Sequence, residues 1–184
     1  MKVVGIVGPI GSGKDTIAEY IAKKYKFTII SYRDIVKEIT EKEGLEPNRE
    51  NMQKVARVHR DIYGEDVFAN LVLKKAINAK GNILLKEMRT VGDVEIPKRY
   101  FVKSIVIIHV DAKPETRFKR MSKRARLGDP KDLQEFIKNE ETEKKFGYYD
   151  SFKFADFRIE TDGSMEDLQQ KIDETMEEVL KEAE

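Results

Sequence analysis

The segment Gly8-Pro9-Ile10-Gly11-Ser12-Gly13-Lys14-Asp15-Thr16 constrains this chain more than any other. It follows an apolar run, Val3-Val4-Gly5-Ile6-Val7, that reads as a buried strand. After it, Ile17, Ala18, Ile21, Ala22 and Tyr25 recur at helical spacing. A glycine-rich loop between a strand and a helix is the context that phosphate binding needs. Glycines let successive amides turn inward without a Cβ clash. The helix beginning near Lys14 adds its unpaired amides and positive dipole end, and Lys14 adds a full charge for the outer phosphates. Gly8, Gly13 and Lys14 fit G-x-x-x-x-G-K. The next position normally carries a Ser or Thr hydroxyl for magnesium. Here it is Asp15, and Thr16 comes one residue later.

At 184 residues the chain fits one α/β domain, 1–184, with a sizeable core. Charged residues make up 38%, yet the net charge is +1, so there is no global basic field and nucleic acid is not expected as a partner. The absence of cysteine excludes disulfides, thiolate nucleophiles and cysteine metal sites. His59 and His109 form no ligand motif. No apolar run approaches the ~20 residues that cross a bilayer, and Met1-Lys2 leads straight into the first strand. A cytoplasmic protein without a membrane partner is the expectation.

Along the chain, Phe27–Ser31 reads as a second strand, Asn82–Leu85 as a third, Ile105–Ile108 as a fourth and Phe154–Ile159 as a last. The third and fourth are continuous apolar runs, as in a parallel sheet covered on both faces. Helical patterns span Tyr32 to Glu43, a face from Met52 to Tyr63 ended by Gly64, and a face from Phe68 to Ala76 ended near Gly81. Further helices run from Pro114 to Lys123, around Leu133-Phe136-Ile137, and from Met165 to Val179 with Ser164 as its N-cap. The alternation predicts a three-layer α/β fold.

The loop, the segment Ile30–Lys37 and the arginine cluster after the fourth strand together resemble the small P-loop kinases. These comprise nucleoside monophosphate kinases, including bacteriophage deoxynucleotide members, dephospho-coenzyme A kinase and their archaeal relatives. The resemblance covers nearly the whole chain. It implies a P-loop NTPase fold with a five-stranded parallel sheet, an acceptor-binding helical insert near 32–80 and a lid near 117–145. It implies ATP and magnesium as cofactors, with phosphoryl transfer to a small nucleotide-like acceptor. A nucleotide-binding regulator with decayed kinase activity is the alternative.

The resemblance also assigns residues. In adenylate-kinase-like members a Gly-Asp-x-x-Arg pattern after the second strand holds the acceptor phosphate. Here Arg33-Asp34-Ile35-Val36-Lys37 stands there, so Lys37 takes the arginine's place, as a point charge without the bidentate fork. Asp34 matches the aspartate that takes a proton from the sugar hydroxyl in dephospho-coenzyme A kinases; N-capping or ion pairing in its own helix is the plainer alternative. Arg49 and Arg60 are further acceptor candidates, or simply solvated helix residues.

Arg117, Arg120 and Arg124, spaced i, i+3, i+7, form one stripe on a helix. They repel one another unless an anion or acidic side chain meets them. Lys123 and Arg126 extend the cluster. In the family such arginines close over the transferring phosphate, which makes Arg120 and Arg124 catalytic candidates; pairing to Glu135, Glu140, Glu141 and Glu143 is the alternative. One departure stands out. Where many members end the third strand in Asp-Gly, this chain has Lys86-Glu87, while Arg89 keeps its place as an acceptor-side cation. Asp15 is the expected metal ligand, with Glu87, Asp34 or Asp111 as other carboxylates. Lys86 is expected to point from the strand end toward the loop.

Overall fold

The computed structural model describes residues 1–125, 129–145 and 147–181. Five parallel strands form one sheet: β1 (Val3–Val7), β2 (Thr28–Ser31), β3 (Ile83–Lys86), β4 (Ile105–Asp111) and β5 (Phe157–Glu160). Their spatial order is β2-β3-β1-β4-β5. Parallel neighbours need long crossovers, and helices supply them: α1 (Lys14–Tyr25), α2 (Tyr32–Lys42), α3 (Arg49–Tyr63), α4 (Val67–Ile77), α5 (Val91–Phe101), α6 (Pro114–Arg124), α7 (Leu133–Lys145) and α8 (Met165–Lys181).

The inner strands β1, β3 and β4 bury both faces, which explains their continuous apolar sequences. Val3 and Val7 of β1 pack with Phe68 and Val72 of α4 and with Val94 and Phe101 of α5. Val4 and Ile6 face the other way, onto Ile17 and Ile21 of α1 and Leu168, Ile172 and Met176 of α8. This is the three-layer arrangement expected. The stretch 32–80 folds as α2, α3 and α4, of which α4 is a sheet-covering helix with Phe68 and Val72 buried. The Ser164 hydroxyl accepts the Asp167 amide at 3.1 Å, capping α8. Among the described residues, no helix is long and apolar enough to cross a membrane.

Two regions differ from the sequence reading. Helix α5 was not anticipated, because Gly92 and Pro97 interrupt its pattern. Thr90 and Asp93 form a capping box that starts it. Pro97 has no N–H to give to the Asp93 carbonyl one turn back. That carbonyl instead accepts the Tyr32 hydroxyl at 2.9 Å, tying the start of α2 to α5. The last strand begins at Phe157 rather than Phe154, and Tyr148–Phe154 is a 3-10 stretch. Its aromatic residues mimic a strand in sequence. The Asp156 carboxylate fixes the true start by accepting the Ile107 amide at 2.8 Å.

The chain leaves β1 to build the β2–β3 side, then crosses to β4 and β5. The loops after β1 and β3 therefore meet at the carboxyl edge of the sheet, the place where open α/β sheets bind ligands.

Candidate active site

A cleft of about 860 Å³ opens at that edge. Its floor is the loop after β1, lined by Gly8, Ile10, Gly11, Gly13, Lys14, Asp15 and Thr16. Gly8 has φ +147, and a Cβ there would lie 2.1 Å from the Val110 carbonyl oxygen. Gly13 caps α1 at φ 96, in the left-handed region that glycine tolerates.

The loop's carbonyls are tied down from behind. Lys14 Nζ donates to the Gly8 and Pro9 oxygens, each at 2.7 Å. Arg117 Nη1 reaches the Ile10 oxygen at 3.3 Å. Arg120 Nη1 approaches the Ser12 and Gly11 oxygens at 3.4 and 3.5 Å. The Thr161 hydroxyl, at the end of β5, donates to the Ser12 oxygen at 2.7 Å. With these carbonyls held, the loop's backbone is fixed at the floor of the cleft beside the amino end of α1, where an anion would meet the helix's unpaired amides. Burial pushes the Lys14 ammonium down to about 8, and the nearby Arg89 charge adds to the shift. An arriving phosphate would reverse that shift by favouring the charged form.

The arginine stripe is met by acids and by the loop. Arg117 is buried and makes a bidentate pair with Glu140 at 2.6 and 2.8 Å, and Tyr149 donates to the same carboxylate at 2.6 Å. Arg120 donates to the Thr161 hydroxyl at 2.7 Å and its carbonyl at 2.5 Å. Its guanidinium thus braces the loop against β5 rather than standing open. Arg124 pairs with Asp129 through two bonds of 2.7 and 2.8 Å. Arg120 and Arg124 both line the cleft. Arg126 lies outside the described residues.

On the acceptor side, Arg33, Asp34 and Lys37 of α2 and Arg89 after β3 line the same cleft. The helix is capped by Ser31, whose hydroxyl accepts the Asp34 amide at 3.1 Å, so the Asp34 side chain is not the cap. Lys37 lies 3.8 Å from Glu41. The Arg89 guanidinium stands 5.7 Å from the Tyr148 ring centre. Arg49 and Arg60 are not among the lining residues. Arg60 packs over the Phe68 ring at 5.1 Å, with Glu65 3.7 Å away, because α3 turns that face toward α4. Asp111 is engaged by Arg158 at 2.7 Å, away from the cleft.

The cleft also holds residues that the sequence did not signal. Met52, Met88, Tyr148 and Phe152 give it an apolar, partly aromatic wall. Glu143 of α7 lines it too, its carboxyl raised by burial against the pull of Arg89. Apart from Met52, which opens the periodic face of α3, none of these belongs to a periodic motif.

Lys86 points toward the loop as expected. Its ammonium lies 2.7 Å from Asp15 Oδ1. Burial disfavours that ammonium most strongly, but the bond to Asp15 and the charges of Asp15, Glu87 and Glu19 together outweigh it and hold its pKa above the usual range. Glu87 has φ +67 and accepts the Ser31 hydroxyl at 2.6 Å. Magnesium in P-loop NTPases is held by a loop hydroxyl and an acid at a strand end. The corresponding groups here are a carboxylate already paired and the cation that pairs it, so the donor set does not fit that ion.

A family model for the AAA domain matches residues 7–138. A UPF0200 protein of Methanococcus maripaludis (strain C7) is 31% identical, covering 98% of this chain and 99% of the relative. One from Methanocaldococcus jannaschii is also 31% identical, over 98% and 91%. Among solved structures, shikimate kinase from Acinetobacter baumannii in complex with shikimate is 18% identical with TM-score 0.61, covering 97% of this chain and 94% of that one. TT1252 from Thermus thermophilus is 18% identical with TM-score 0.63, covering 96% and 97%. The fold is shared with both.

Proposed function

The chain belongs to the AAA-domain family and to the family of the UPF0200 proteins, and from that membership we propose that it transfers a phosphoryl group from ATP to a small acceptor. The single observation that carries this reading is the continuity of the cleft. One cavity runs from Gly8 and Lys14 to Asp34, Lys37 and Arg89, so a donor phosphate on the loop would face an acceptor on α2. Phosphoryl transfer needs little covalent chemistry from a protein beyond positioning and charge. Lys14 is the cation for the outer phosphates once it leaves the loop carbonyls. Asp34 is the group that takes a proton from an acceptor hydroxyl. Lys37 and Arg89 hold an acceptor anion, and Arg124 covers the transferring group.

The acceptor class follows from the walls. Met52, Met88, Tyr148 and Phe152 suit a flat, weakly polar body, and the cations beside them suit an attached phosphate. A nucleotide-like acceptor, as in dephospho-coenzyme A and nucleoside monophosphate kinases, matches both. The shikimate-bound neighbour adds small polyhydroxy acids to the acceptors worth assaying.

The Asp15–Lys86 pair favours a second reading, a nucleotide-binding regulator without turnover. A screen for acceptor-dependent ADP formation separates the two. It would cover nucleoside monophosphates, dephospho-coenzyme A and small hydroxy acids. Turnover with at least one acceptor supports the kinase. ATP binding without turnover on any of them supports the regulator.

A further inference from the structure

The charge beside the phosphate loop is arranged in an unusual way. A carboxylate, Asp15, directly follows the loop lysine in the first turn of α1. On its own it would repel the phosphates of a nucleotide. Lys86 answers it from the end of β3, at 2.7 Å, with only 20% of its side chain exposed. Both residues line the cleft, so the ammonium sits beside the phosphate floor and not in bulk water. The neighbouring acid is turned aside. Glu87 adopts a left-handed backbone and gives its carboxylate to Ser31 on the acceptor side. A non-glycine residue held at positive φ in a cleft marks a conformation maintained for a purpose.

The usual pattern, a neutral hydroxyl plus an acid at the strand end, leaves a net negative site that a divalent cation balances. Here the two positions sum to zero, and the strand-end member is itself a cation. A second cation brought to Asp15 would meet the Lys86 ammonium within a few ångströms, in a partly desolvated cleft where like charges repel strongly.

We propose that Lys86 supplies from within the chain the positive charge that a divalent metal supplies in other phosphate loops, so that this site takes nucleotide phosphates without metal. The inference rests on the nucleotide-site reading above. An incoming phosphate competes with Asp15 for the ammonium, while Asp15 keeps the favourable end of the α1 dipole.

Calorimetry of ATP binding, in magnesium and in excess EDTA, tests this. The wild-type affinity in EDTA should lie within about threefold of that in magnesium. Lys86→Gln should lose at least about tenfold in EDTA and regain it when magnesium is added. Asp15→Ser should bind ATP in EDTA more tightly than the wild type, since Lys86 is then released to the phosphates. This arm keeps Lys86 in place and remains readable if Lys86→Gln fails to fold. A wild type that needs magnesium for binding, or a Lys86→Gln protein that matches it in EDTA, overturns the inference while leaving the nucleotide site intact. No ATP binding in either condition overturns both.

Discussion

The two ends of the cleft are built from different materials. At the phosphate end the chemistry is carried by backbone, and the backbone is clamped. Lys14, Arg117, Arg120 and Thr161 hold successive loop carbonyls, and Gly8 lies against the Val110 carbonyl where no side chain fits. At the acceptor end the chemistry is carried by long or exposed side chains, Arg33, Asp34, Lys37 and Arg89, on a helix start and a loop. The first end exists before a ligand arrives. The lesson is that residues of one chemical type, the arginines of a single helical stripe, can serve both ends in different ways. Arg117 and Arg120 are structural braces of the loop, and Arg124 pairs instead with Asp129, its own side chain partly exposed and the carboxylate buried.

The largest effect should come from the deepest brace. Arg117→Ala would leave Glu140 buried without its cation, a loss of about 3–5 kcal/mol in denaturant unfolding. A change below about 1 kcal/mol would mean that the clamp behind the loop is not structural.

Next is Lys14→Ala, expected to weaken ATP binding by about 1.5–3 kcal/mol by calorimetry. Lys14 carries a pH signature as well. Its pKa without ligand is about 8, and bound phosphate would raise it, so binding takes up a proton above that pH. Affinity should be level below about pH 8 and fall as pH rises through it. Lys14→Met should flatten the profile.

Smaller effects should divide the remaining arginines. Arg120→Ala removes bonds to Thr161 and the loop, and should cost about 1.5–2 kcal/mol of stability and lower nucleotide affinity together. Arg124→Ala breaks a bidentate pair whose carboxylate, Asp129, is only 8% exposed and should cost about 1–3 kcal/mol of stability. Its functional effect should fall on turnover. If the two variants behave alike in nucleotide affinity and in turnover, the contrast between a braced end and an open end fails.

How much of this was legible in sequence follows the same division. The phosphate end was legible because backbone chemistry forces residue types: only glycines allow the loop's turns, and strand and helix periodicity flank it on both sides. The parallel sheet was legible because its inner strands β1, β3 and β4 bury both faces and so read as continuous apolar runs. Helix α5 was hidden, because the hydrogen bond that makes Pro97 tolerable comes from Tyr32, far away in sequence. The aromatic wall at Tyr148 and Phe152 was hidden because both lie outside every element expected from the sequence, in the 3-10 stretch before β5. Arg60 reads in sequence as an acceptor candidate or a solvated helix residue, and only the packing of α3 on α4 reveals its place over Phe68. Lys86 was legible as an anomaly, and its direction followed from the pairing of β1 with β3. That Asp15 receives it needed the structure.

The acceptor end holds the central claim, that the cleft moves a phosphoryl group from nucleotide to acceptor through Asp34. The direct measurement is transfer of a labelled γ-phosphate from ATP to the best acceptor found, in the wild type and in Asp34→Asn, with ATP affinity measured alongside. Label should appear on the acceptor with the wild type and fall by at least about 100-fold in the variant, at unchanged ATP affinity. Label released only to water, or equal transfer by the two proteins, would contradict it.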